Sequence, residues 1–133
     1  MQRWLKIAAV LLPLLLCGRL SAQTAEFDVF IPIGKYMAQG NADKLSAWFD
    51  ENLEIAVVSQ ATSASKAQAR QILRTFFESN TPRSFDISHT AGKDNMKYAL
   101  GTLKAGGESY SVTIFVSHKG KFFKIQQLKI ESQ

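Results

Sequence analysis

Apolar side chains recur along this chain with two different periods. Up to about residue 80 the spacing is mainly helical, and from Phe85 onward it alternates with period two. In "EFDVFIPIGKYMAQG", Phe27, Phe30, Gly34 and Met37 fall at helical spacing, and Gly40 is the stop signal. Pro32 is tolerated only near a first turn, so the pattern predicts a helix starting around Asp28, with Asp28 as N-cap. "NADKLSAWF" predicts a short second helix capped by Asn41, with Leu45 and either Trp48 or Phe49 facing inward. "NLEIAVVS" follows as a strand rich in β-branched residues, and residues 60–63 as a brief return strand. Ser65 and Gln68 then form a capping box ahead of Ala69, Ile72, Leu73, Phe76 and Phe77, one broad apolar stripe that Asn80 and Pro82 terminate.

Beyond that helix the alternation predicts a four-strand meander. Phe85, Ile87 and His89 share one face of its first strand, with Asp86, Ser88 and Thr90 on the other. "GKDN", "AGGE" and "HKGK" supply the turns. Met96, Tyr98 and Leu100 form the apolar face of the second strand, and Tyr110, Val112, Ile114 and Val116 that of the third. In the last strand Phe123 and Ile125 fall out of phase with Leu128 and Ile130, which predicts a β-bulge near Gln126 and Gln127. The opposite face then carries Ser109, Ser111, Thr113 and Ser117 among Ala99, Gly101, Leu103 and Phe115, a surface of small residues suited to pairing with a second copy or to solvent. Strands with one apolar face need helices to cover it, so the fold class is α+β, a curved, mostly antiparallel sheet around a long helix.

The first residues read differently. "MQRWLKIAAVLLPLLLCGRLSAQ" has basic Arg3 and Lys6, an apolar run and small residues at Ser21 and Ala22, the layout of a secretory signal peptide. Cleavage after Ala22 would leave residues 23–133 as a single cone-shaped domain, periplasmic or secreted. Removing Arg3, Lys6 and Arg19, with no acid, takes the formal charge from +5 to +2. So small a surplus argues against a nucleic-acid-binding surface. Cys17 lies in the removed segment, preceded by Leu16 where lipoprotein signals carry a small residue, which argues against lipid anchoring there. The mature chain would hold no cysteine, and no later segment has the apolar length of a membrane span.

The element order, with "GNADKLSAWF" and a long helix ending "FFESNTP", resembles the nuclear transport factor 2-like (cystatin-like) cone. Within it the chain is similar to a secreted bacterial family known as domain of unknown function 4783. The resemblance covers nearly all of the mature chain, and its motifs mark fold rather than chemistry. Relatives on this fold include isomerases, dehydratases, cyclases and non-catalytic binding domains, so function has to come from the residues. Aligned on Gly40 and Phe49, the tyrosine donor of ketosteroid isomerase would fall at Ile33 and its base aspartate near Val57. Neither residue can polarise a carbonyl or take a proton, and no acid lies between Ile55 and Thr62.

His89 remains as the candidate general base. Its phase with Phe85 and Ile87 points it toward the helices, where Tyr98 and Tyr110 are expected to join it at the mouth of the cone. Met37, Phe76 and Phe77 are candidate walls of a ligand site, although their spacing equally suits plain core. His118 falls in a turn, and Lys119, Lys121, Lys124 and Lys129 read as a solvated edge that discourages strand pairing or as a basic strip for an acidic partner. Metal, phosphate-loop, dinucleotide and nucleophile-elbow patterns are missing from the sequence, and no cofactor is expected. The expected role is a non-enzymatic exported domain that binds a small apolar ligand or a protein partner through the cone, with homodimerisation through the outer sheet face. The alternative is a small-molecule lyase, cyclase or isomerase using His89.

Overall fold

A computed structural model describes residues 25–133. The proposed export segment, its cleavage after Ala22 and Cys17 lie outside the described residues. A 3-10 turn at Ala25–Phe27 leads into helices α1 (Phe30–Gln39) and α2 (Ala42–Ser46). Strands β1 (Phe49–Val57) and β2 (Gln60–Ser65) form a hairpin, followed by the long helix α3 (Lys66–Ser79). Four strands complete the chain, β3 (Pro82–Lys93), β4 (Met96–Ala105), β5 (Glu108–Lys119) and β6 (Phe122–Ser132). They form one six-stranded sheet in the order β2-β1-β6-β5-β4-β3, antiparallel except where β1 lies parallel to β6. The expected α+β cone is the architecture found.

The capping signals work as read. Ser65 Oγ accepts from the Gln68 N–H (3.2 Å), while Gln68 Oε1 accepts from the Ser65 N–H (2.9 Å). Each bond satisfies a backbone donor that would otherwise be stranded at the helix start. Asn41 Oδ1 accepts from the Lys44 N–H (3.1 Å) to start α2. Gly40 closes α1 at φ 65°, a left-handed conformation in which a Cβ would strike the Pro82 ring at 2.9 Å. The start of α1 needs correction. Val29, not Asp28, is the N-cap, and no side chain caps the helix. Pro32 therefore stands third in α1, still within the turn whose N–H groups have no intrahelical partner, so its missing donor costs nothing there. Phe49, fully buried, opens β1 rather than closing α2, and the strand begins earlier than its β-branched residues indicated.

Ala69, Leu73, Phe76 and Phe77 of α3 pack with Phe30, Ile33 and Met37 of α1 against Val112, Ile114, Val116, Leu128 and Ile130 of the sheet. The predicted bulge in β6 is present. Pairing passes from Phe115↔Gln127 to Val116↔Ile125, leaving Gln126 as the extra residue.

The phase of β3 and β4 has to be corrected. Pairing runs Ile87↔Gly101 and then His89↔Leu100, so Ser88 is an extra residue and the strand changes phase there. A one-residue shift sends every later side chain to the opposite face. Phe85 and Ile87 face the helices as expected, whereas His89 lies on the exposed outer face. Ala99, Gly101, Leu103 and Ala105 are the buried face of β4, and Met96, Tyr98 and Leu100 point outward. This is the reverse of the assignment made from side-chain size.

Candidate functional site

The inner face of the β1–β2 hairpin does not close fully against α3. Between them lies an open groove of about 660 Å³. Ile55 and Val57 of β1, with Ile72 and Phe76 of α3, supply its apolar lining. Gln60, Thr62 and Ser63 of β2, and Gln68, Gln71, Thr75, Ser79 and Asn80 along and after α3, supply amides and hydroxyls. No ionisable side chain lines it.

The helix explains that neutrality. Lys66, Arg70, Arg74 and Glu78 recur every four residues on one stripe of α3, and Arg74 forms an ion pair with Asp43 of α2. Gln68, Gln71, Thr75 and Ser79 form a second stripe, free of charge, and it is this one that borders the groove. Glu54 of β1 pairs with Ser63, a β2 residue at the groove's rim, and its carboxylate accepts from the Ser63 hydroxyl.

The residues expected at the mouth of the cone are not brought together. Only Phe76 lines the groove. Tyr110 is buried behind it, their rings edge to face at 5.2 Å, and its hydroxyl donates to Asn80 Oδ1 (3.3 Å) at the groove's end. Met37 is wholly buried and Phe77 nearly so, within the main core. His89 and Tyr98 do meet, with ring centroids 6.0 Å apart, but on the outer face of the sheet. Val57, where an isomerase base would fall, lines the groove with an isopropyl group, and Ile33 is buried in the core. His118 is exposed, its ring 3.9 Å from that of Phe123. Lys119 reaches Asp50 at 3.5 Å, Lys124 donates to the Ala47 carbonyl (3.0 Å), and Lys129 pairs with Glu131 at 2.8 Å.

Two polar groups stand out elsewhere. Lys97, inward on β4 and only 6% exposed, donates its ammonium to the Glu26 carbonyl and lies over the rings of Phe27 (5.2 Å) and Phe123 (5.4 Å). Its contacts hold the N-terminal turn onto the end of the core. Burial works to raise the pKa of Asp50, but the Glu51 N–H, the Gln126 side chain and Lys119 outweigh it and hold the carboxyl below its ordinary range. Among the described residues, no group of three or more His, Cys, Asp or Glu side chains is arranged to hold a metal ion. No helix among them is long and apolar enough to cross a membrane.

A family model described as domain of unknown function (DUF4783) matches residues 30–131. The chain belongs to the DUF4783 family. A DUF4783 protein from Bacteroides uniformis is similar at TM-score 0.74 and 20% identity, over 77% of this chain and 94% of that one. One from Bacteroides fragilis aligns at TM-score 0.73 and 21% identity, over 77% and 97% of the two chains. A putative dehydratase of the NTF2-like family from Streptomyces avermitilis aligns at TM-score 0.62 with 8% identity, over 85% of this chain and 98% of its own. At these identities the likeness concerns the fold. No curated protein matches the chain. The groove of this DUF4783 protein was legible in sequence only as the charge-free second stripe of α3, at Gln68, Gln71, Thr75 and Ser79.

Proposed function

We propose that this DUF4783 protein is an exported, non-enzymatic binding domain that takes a neutral, partly apolar ligand into the groove between α3 and the β1–β2 hairpin. The observation that carries the reading is the lining, apolar at Ile55, Val57, Ile72 and Phe76 and otherwise built from uncharged amides and hydroxyls. A pocket of this size with an apolar body and a few polar groups is the usual form of a small-ligand site. A charged ligand would lose hydration there without gaining a counter-charge, so the groove selects for neutrality. General acid–base chemistry needs a titratable group within hydrogen-bond reach of the reacting atom. The lyase, cyclase or isomerase alternative depends on His89, whose ring stands on the opposite face of the sheet, and nothing in the groove favours it. Export rests on the N-terminal sequence pattern.

The test is native mass spectrometry of mature protein purified gently from its own host, beside a Thr75→Trp variant in which the indole fills the groove. The expected result is an added mass on the wild type that denaturation removes and that the variant lacks. An added mass carried equally by both proteins, or an apo wild type under every gentle condition, would overturn the groove reading.

A further inference from the structure

The two edges of the sheet are built differently. Strand β3 is protected against further pairing: it begins at Pro82, carries Arg83, Asp86 and Lys93, and has register shifts after Pro82 and after Ile87. These are the devices by which proteins keep an exposed edge from recruiting another strand. Strand β2, "QATSAS", has none of them. It contains no charge and no proline, and its six pairs with β1 run without a shift.

The register shows which backbone groups that edge presents. The Val58 N–H donates to the Ile130 carbonyl (2.7 Å), next to the parallel pair Val57↔Ile130. In a parallel ladder this sends the main-chain groups of Ala56 and Val58 toward β6 and those of Leu53, Ile55 and Val57 toward β2. Gln60, Thr62 and Ala64 therefore use theirs on β1, and Ala61 and Ser63 direct N–H and C=O groups away from the sheet. The Ser63 carbonyl accepts from Thr62 Oγ1 (3.1 Å) and has a second lone pair, while the Ser65 N–H is already used by Gln68. No strand lies beyond β2 among the described residues. The groove adjoins this edge, since Gln60, Thr62, Ser63 and Ala64 belong to both.

We propose that β2 is a docking edge for an extended, uncharged segment of a partner polypeptide. The segment adds as a seventh strand through Ala61 and Ser63 and lays every second side chain into the groove against Ile72 and Thr75. This inference rests on the groove reading and names the class of its ligand. Main-chain bonds to the edge supply affinity, and the groove accepts alternate side chains, the usual division of labour in strand addition. Neutrality of both edge and groove matches an uncharged segment. A second copy of this chain fits less well. Two β2 edges would share a seam only about 20 Å long, a single line of main-chain bonds rather than a face able to bury the roughly 1,200 Å² that a stable pair needs.

The experiment is selection of displayed, random ten-residue peptides on immobilised mature protein, with affinities then compared between wild type and two edge variants. Ala61→Pro removes an outward N–H that β1 does not use, and Ser63→Lys keeps its amide but sets a charge beside the edge. Circular dichroism checks that both fold. The enriched peptides are expected to be uncharged and to lose about tenfold in affinity to Ala61→Pro, the worth of one or two main-chain bonds. No enrichment, or peptides that bind both variants as well as wild type, would overturn strand addition. So would a concentration-dependent dimer in sedimentation that Ala61→Pro abolishes, which would assign the edge to a second copy. An added mass in native spectra that Thr75→Trp removes and Ala61→Pro keeps, with no peptide enriched, would leave the groove reading standing and sink this one alone.

Discussion

Phe76 is where the core and the groove meet, and its truncation tests whether the groove is what it appears from the lining. One side of the ring lines the groove, and the other packs edge-on against Tyr110 (5.2 Å, 80°) and Phe77 (5.9 Å, 60°). Replacing a buried phenylalanine by alanine usually costs about 3–5 kcal/mol, part of it for the cavity left behind. Here the space vacated opens into the groove, so water enters it and no sealed void forms. The cost should therefore fall near the lower bound, about 3 kcal/mol, even though two aromatic contacts of roughly 0.5–1.5 kcal/mol each are lost. Leu73, one turn earlier and 0% exposed, is the comparison. Leu73→Ala removes fewer carbons but leaves a closed cavity, for which about 3–5 kcal/mol is expected. Urea titrations followed by circular dichroism should thus place the two variants close together, with unchanged slopes. A Phe76→Ala loss well above that of Leu73→Ala would mean that the ring is sealed in and the groove closed beneath it. A loss under about 1 kcal/mol would mean that the ring is not packed at all.

Three further outcomes follow from the same geometry. Gly101→Ala would put a Cβ 2.7 Å from the Asp86 carbonyl oxygen and 2.8 Å from the Phe85 ring, so it should lower stability by about 1–3 kcal/mol in urea titration; an unchanged midpoint would show that β3 yields freely. Lys97→Met keeps an apolar stem and removes the buried ammonium that lies over Phe27 and Phe123, together with its bond to the Glu26 carbonyl. Global stability should change by no more than about 1 kcal/mol, while amide exchange across residues 25–29 quickens; slow exchange there would show that Lys97 does not hold the turn. Asp50, whose carboxyl titrates below its ordinary range in the fold, contributes stability that is present above the unfolded pKa and lost as pH falls through the folded one. Asp50→Asn should therefore destabilise the protein at neutral pH and flatten the acid side of its stability profile, whereas an unaltered acid limb would assign that loss to other carboxylates.

Where one physical requirement governed a stretch, the sequence disclosed it. The capping box at Ser65 and Gln68 announces a helix start because only those side chains satisfy the donors there. The bulge at Gln126 is legible because large apolar residues on both sides of it, Ile125 and Leu128, must reach the same core. The bulge at Ser88 has no such witness. Beyond it come His89, Thr90 and Ala91, none large or apolar enough to reveal which face is buried. Strand β4 misleads for a related reason: Met96, Tyr98 and Leu100 are larger than Ala99, Gly101 and Ala105, yet the Phe85 ring of β3 lies so close over the inner face at Gly101 that not even a Cβ fits there, and small residues occupy that face. Lys97 is not legible in the sequence, because an inward lysine makes sense only with Phe27, Phe123 and the Glu26 carbonyl around it.

The extra residue at Ser88 also separates two chemical futures for the fold. Without it His89 would continue the phase of Phe85 and Ile87 and present its imidazole to the concave side, where a base could reach a ligand. With it the imidazole joins Tyr98 and Leu100 on the convex side, and the groove on the concave side has no ionisable side chain in its lining. The apolar and aromatic groups thus exposed on the convex face, Met96, Leu100 and the partly buried Phe115, suit the expected pairing of two copies, which we retain as a proposal. Such a pair would cover His89 and Tyr98 while leaving β2 and the groove at the far edge of the sheet open. The two surfaces can therefore be varied independently, and changes at His89 should report on association while changes at Thr75 report on the groove.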